Sequence, residues 1–124
     1  MPLFLAIAAV LGGLAVGGGA FASHALQGQL PERAIAVFNT GVRYQMYHAL
    51  ALLTVAMLWS NAKSALPWLT AAAWLFVAGV ILFSGSLYLI SLAGLKVFGP
   101  VTPIGGVALI AGWACLAIAA LKWP

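Results

Sequence analysis

The chain has 124 residues, 65% hydrophobic and 5% charged, with a mean hydropathy of +1.16. A soluble domain is about 45–50% apolar and about 25% charged, and a chain this short cannot bury so much apolar surface in water. Glu32 is the only carboxylate side chain, against five Lys and Arg and a formal charge of +4. That excludes paired-carboxylate acid–base chemistry, a Ser-His-Asp triad, hard-cation sites and ion coupling through an intramembrane acid.

Charges divide the chain into four apolar windows: Met1 to Pro31, Tyr44 to Ala62, Ser64 to Leu95 and Val97 to Leu121. Each is long enough for a membrane-spanning helix, which needs roughly 20 apolar residues. The expectation is one domain, 1–124: an all-α, up-down-up-down bundle of four transmembrane helices.

The first span covers about 2–24. Ala20-Phe21-Ala22 resembles a signal-cleavage site, but the basic n-region of a signal peptide is missing, so a retained helix is expected. Ala6, Ala9, Gly13, Gly17 and Ala20 fall on one face, and small faces let membrane helices approach closely; Gly13 and Gly17 are therefore expected packing positions. Pro31 and Glu32 suit a helix start. Ile35, Phe38 and Val42 then recur opposite Glu32, Arg33 and Asn39. This pattern predicts a short interfacial amphipathic helix over about 31–39; the alternative is one helix running straight into the second span.

The second span is expected over about 42–59, before a polar turn, Ser60 to Ser64. The third runs over about 66–91, with Pro67 tolerated in its first turn. After the Gly94–Pro100 loop, Thr102-Pro103 resembles an N-cap and first helical position, opening a fourth span over about 103–121. Its small stripe contains Gly105, Ala108, Gly112, Cys115 and Ala119. The lone Cys115 can form no intrachain disulfide and is expected to pack as a small residue. Trp59, Trp68 and Trp123 with Lys63 and Lys122 form an anchoring belt on the side of the termini.

The opposite half is polar. Arg43, Tyr44, Gln45, Tyr47 and His48 descend into span two, Ser84, Ser86 and Tyr88 lie near the end of span three, and His24 closes span one. Intramembrane polar groups are costly and mark candidate functional positions. These nine residues are the candidate lining of a polar vestibule. Each also has a plainer reading. Arg43 can snorkel to headgroups, His48 can bond a hydroxyl or a carbonyl, His24 can be simply interfacial, and Tyr88 can belong to an aromatic belt.

Four segments carry a family resemblance: Gly19 to Leu26, Thr40 to Leu50 (Thr-Gly-Val-Arg-Tyr-Gln-Met-Tyr-His-Ala-Leu), Leu82 to Tyr88, and Thr102 to Gly106. The chain resembles the YgdD/YwdK family of small bacterial membrane proteins, related to animal transmembrane protein 256. Family members show a Gly-Ala pair before the first histidine where this chain has Ala22-Ser23. The resemblance implies a multi-pass protein, expected in the bacterial plasma (inner) membrane, and carries no established activity or cofactor.

Function is thus bounded rather than named. A non-enzymatic binding, helper or organising protein is expected, with no cofactor and no metal. Its partners would be membrane lipids including anionic headgroups, and another membrane protein or a second copy, but not nucleic acid. The alternative is a small carrier or channel for an anionic or neutral solute, using the polar half.

Overall fold

The computed structural model describes residues 2–124. Among them are four long helices and no strand: α1 (Pro2–His24), α2 (Glu32–Leu58), α3 (Leu66–Ala93) and α4 (Val101–Leu121). Single 3-10 turns at Trp59–Asn61, Lys63–Ala65 and Lys96–Phe98 complete the short connections. In the bundle α1 packs on α2, α2 on α3 and α3 on α4.

Three segments are long and apolar enough to cross a membrane by themselves: Pro2–His24, Lys63–Ala93 and Lys96–Leu121. Helix α2 falls short because Arg43, Gln45 and His48 interrupt it. Its 27 residues extend about 40 Å at 1.5 Å each, and it runs antiparallel between α1 and α3. The neighbouring helices take up Gln45 and His48, and the four-helix membrane bundle stands.

Helix α2 also corrects the interfacial helix expected over about 31–39. Residues 32–58 form one unbroken helix. The apolar residues of the expected amphipathic segment continue a longer stripe: Ile35, Phe38, Gly41, Gln45, Ala49, Leu52 and Val55 are all buried on one face. Ile35 and Phe38 do not rest on lipid. They pack with Ala22 and Leu26 at the end of α1, against the partly buried Leu30, Val42 and Tyr88. With the stripe covered along its whole length, nothing bends the helix into the membrane plane.

The main core lies in the other half, nearer the termini. Phe4 and Ala8 of α1, Leu52 and Val55 of α2, Leu69, Phe76 and Val80 of α3, and Leu109 of α4 form its centre. Phe4 anchors it, with its ring centroid 5.4 Å from Trp59 and 5.0 Å from Trp74.

The helix ends follow local chemistry. Gly94 takes a left-handed conformation (φ 66°) and closes α3, with the Leu95 N–H bonded back to the Leu89 carbonyl at 3.3 Å. The Gly94 N–H itself bonds the Ile90 carbonyl at 3.1 Å, the five-to-one bond of a left-handed glycine ending. Thr102 does not cap α4, which begins at Val101 after Pro100; its hydroxyl is engaged by Ser86 instead. The Ser60–Ser64 turn is tied to the C-terminus through Ser64 Oγ, which donates to the Lys122 carbonyl at 2.9 Å.

The two small-residue stripes have different fates. On α4, a Cβ at Gly105 would fall onto the Phe83 backbone nitrogen and lie 2.8 Å from the Leu82 carbonyl carbon, while one at Gly112 would lie 2.7 Å from the Phe76 ring. On α1 the expectation needs correction, because a Cβ at Gly13 or Gly17 meets nothing within 4 Å. The helix instead buries Phe4, Ala8, Ala15 and Ala22, and its close glycine is Gly18, whose Cβ would stand 3.2 Å from Val42.

Candidate functional site

The polar residues of α2 and α3 form a layer that ties all four helices together. Gln45 is 5% exposed. Its Nε2 donates to the Leu11 carbonyl of α1 at 2.8 Å, and its Oε1 accepts from the Tyr88 hydroxyl of α3 at 2.5 Å. The amide orientation is dictated by its partners, since a carbonyl can only accept. Tyr88 lies over Gly41, where a Cβ would come within 2.8 Å of its ring, and its ring centroid is 5.0 Å from that of Phe38. Ser84 donates from α3 to the Gly41 carbonyl at 2.7 Å. Glycine at 41 thus lets α2 and α3 approach closely enough for both contacts.

The second half of the layer joins α2 to α4. His48 Nδ1 stands 2.7 Å from the Tyr44 carbonyl, and His48 Nε2 stands 3.0 Å from Trp113 Nε1. A carbonyl needs a donor, and an indole N–H can only donate. His48 is therefore the neutral Nδ1–H tautomer with both ring nitrogens engaged. Trp113 was no candidate from sequence; an outward aromatic in an apolar helix carries no local signal that its N–H meets a histidine 65 residues earlier. Ser86 spends its one proton on the Phe83 carbonyl at 2.8 Å, so Thr102 donates in the 2.5 Å contact between their hydroxyls. No buried side-chain N or O among the described residues lacks a partner.

The nine residues expected to line a vestibule do not share one cavity. Tyr44, Tyr47 and His48 line an apolar slot of about 480 Å³ with Phe83, Gly106, Ile110 and Trp113. Ser86 and Tyr88 border a separate groove with Leu89 and Phe98. Gln45 and Ser84 are buried within the bundle. Arg43 is exposed, its guanidinium donating to Thr40 Oγ1 at 3.3 Å. His24 is exposed at the end of α1 and joins none of these bonds. A further slot of about 510 Å³ lies on the same α2–α4 side, lined by Thr54, Leu58, Leu69, Leu116, Ala119 and Trp123.

The helices and this internal polar layer define a polytopic helical membrane protein. The particular family follows from comparison with known proteins. The model of the family described as protein of unknown function DUF423 matches residues 18–106, which include both halves of the polar layer except Leu11 and Trp113. The chain is 45% identical over 123 residues to the UPF0382 membrane protein YwdK of Bacillus subtilis, covering 99% of each chain. It is 44% identical over 123 residues to the UPF0382 membrane protein SAB0533 of Staphylococcus aureus, covering 99% of this chain and 98% of the relative. The chain belongs to this family of small membrane proteins of unknown function. No solved structure matches it.

Proposed function

We propose that the protein is a non-enzymatic membrane protein that acts by binding, as a helper or organiser of lipids or other membrane proteins in the bacterial plasma membrane. The supporting observation is the closure of the polar layer. Gln45, His48, Ser84 and Ser86 are each more than nine-tenths buried, and their hydrogen bonds run to protein groups. A solute pathway needs polar groups that face the solute; these hold helices together. His48 has no free nitrogen to act as a base, and the single carboxylate side chain leaves little else for acid–base work.

The outer surface, by contrast, has room for an apolar partner. Helices α2 and α4 flank two slots, with the His48–Trp113 bond falling between them in the order of residues along both helices. Either slot would accept a lipid chain or side chains of a neighbouring helix. Native mass spectrometry of protein gently extracted from its own membrane tests this reading. A discrete bound lipid or stoichiometric protein partner is expected. A chain that is always bare, together with solute flux in proteoliposomes lost on replacing Arg43 and His48 by alanine, would overturn it in favour of a carrier.

A further inference from the structure

Where the first turns of α2 pass the C-terminal end of α3, Arg33 and Lys96 line one cavity of about 250 Å³. They come from different elements: Arg33 from the start of α2, Lys96 from the turn between α3 and α4. Like charges sharing a cavity repel unless an anion offsets them, and the chain has little to offer. Its only acidic side chain, Glu32, is exposed and does not line the cavity. Two further observations point to an anion. The N–H groups of the first turn of α2 have no acceptor within the helix, and Pro31 provides no side-chain cap. Ser91, 6% exposed and bonded to the Tyr88 carbonyl at 3.3 Å, adds a polar side chain to the cavity lining. The floor, however, is apolar, formed by Val37 and Ile90. The position also matters: Lys96 and the end of α3 bound two of the membrane-crossing segments, which sets the cavity at headgroup depth.

We infer that this cavity binds the phosphate of an anionic phospholipid, with Arg33 and Lys96 on the phosphate and the upper acyl chain against Val37 and Ile90. The assignment rests on the binding reading above and gives it a ligand class and a place. A free phosphate shares the charge chemistry but has no use for the apolar floor, which is why a lipid is the assigned source.

The test is native mass spectrometry of the full chain in micelles containing equimolar phosphatidylglycerol and phosphatidylcholine. The wild type is expected to retain phosphatidylglycerol in preference. At roughly fivefold per surface cation, Arg33→Gln with Lys96→Gln lowers that preference roughly 25-fold. Lys63→Gln with Lys122→Gln removes the same charge from the opposite surface and should cost a small fraction of that; Arg33→Lys with Lys96→Arg should preserve the preference. Equal losses in the two glutamine pairs would reduce the effect to net charge and overturn the site. Inorganic phosphate bound alone at the same occupancy would overturn the lipid assignment. Phosphatidylglycerol still retained by the Arg33/Lys96 glutamine pair overturns this site while the binding reading stands. A wild type that retains no phosphatidylglycerol also overturns this site, whereas the binding reading falls only if protein from its own membrane is bare and the chain carries solute.

Discussion

The polar layer makes a quantitative demand on stability that Gln45 and Tyr88 can test. Gln45→Leu keeps nearly the same volume but removes two hydrogen bonds at once, one to the Leu11 carbonyl and one from the Tyr88 hydroxyl. The Leu11 carbonyl still accepts its own helical N–H, so little is lost there beyond the second bond. The Tyr88 hydroxyl is left without its acceptor, at a cost of about 1–3 kcal/mol for a fully buried group. Because Tyr88 is half-buried, the lower part of that range applies, and about 1–2 kcal/mol is expected in total. Tyr88→Phe leaves Gln45 Oε1 unpaired and should cost about 1 kcal/mol. In the double variant neither orphan remains, so the two losses do not add. Interhelical hydrogen bonds within membranes average about 0.6 kcal/mol and reach about 1.7 kcal/mol, and the coupling should fall in that interval. The assay is reversible unfolding in mixed micelles of the wild type, both single variants and the double. Additive losses, with coupling indistinguishable from zero, would refute the claim that this bond joins α2 to α3.

Other expectations follow from single contacts. Gly105→Ala drives a methyl into the backbone of α3 at Leu82 and Phe83 and should destabilise by about 3 kcal/mol or more, whereas Gly13→Ala fills open space and should gain up to about 1 kcal/mol in helix propensity; unfolding in the same micelles separates them. Nitrogen-15 NMR of histidine-labelled protein should show His48 as the neutral Nδ1–H tautomer, and finding the proton on Nε2 would contradict the Trp113 contact. Trp113→Phe keeps an aromatic ring beside Phe76 but removes the donor to His48, so a loss of about 1 kcal/mol is expected in thermal unfolding. Lys63 adopts φ 43° in the tight turn between α2 and α3, so Lys63→Gly should relieve left-handed strain and raise stability by up to about 1 kcal/mol.

What the amino-acid sequence determined by itself was the number of membrane-spanning helices and the turns that separate them, though not that the second begins at Glu32. Charges and polar turns bound windows long enough to cross a membrane, and such signals are local: Ser60 to Ser64 turns, Gly94 stops α3, and Gly105 and Gly112 mark a thin face on a helix that has to meet a neighbour. The identity of the polar candidates was legible for the same reason, since Gln45 and His48 stand out in any apolar run. What only the tertiary structure decided was which faces meet. Helix α1 is apolar all round and rich in small residues on several sides, so no local contrast selects Ala8, Ala15 and Ala22 over Ala6, Gly13 and Gly17; the fit of Phe4 against Trp59 and Trp74, and of Gly18 against Val42, makes the choice. Ile35 and Phe38 read equally well on lipid or on protein until Ala22, Leu26 and Tyr88 cover them. Whether the polar half opens into a vestibule or closes into a layer is likewise non-local. It depends on Leu11, Tyr88 and Trp113 arriving from three other helices with the donors and acceptors that the Gln45 amide and the His48 Nε2 lack within α2.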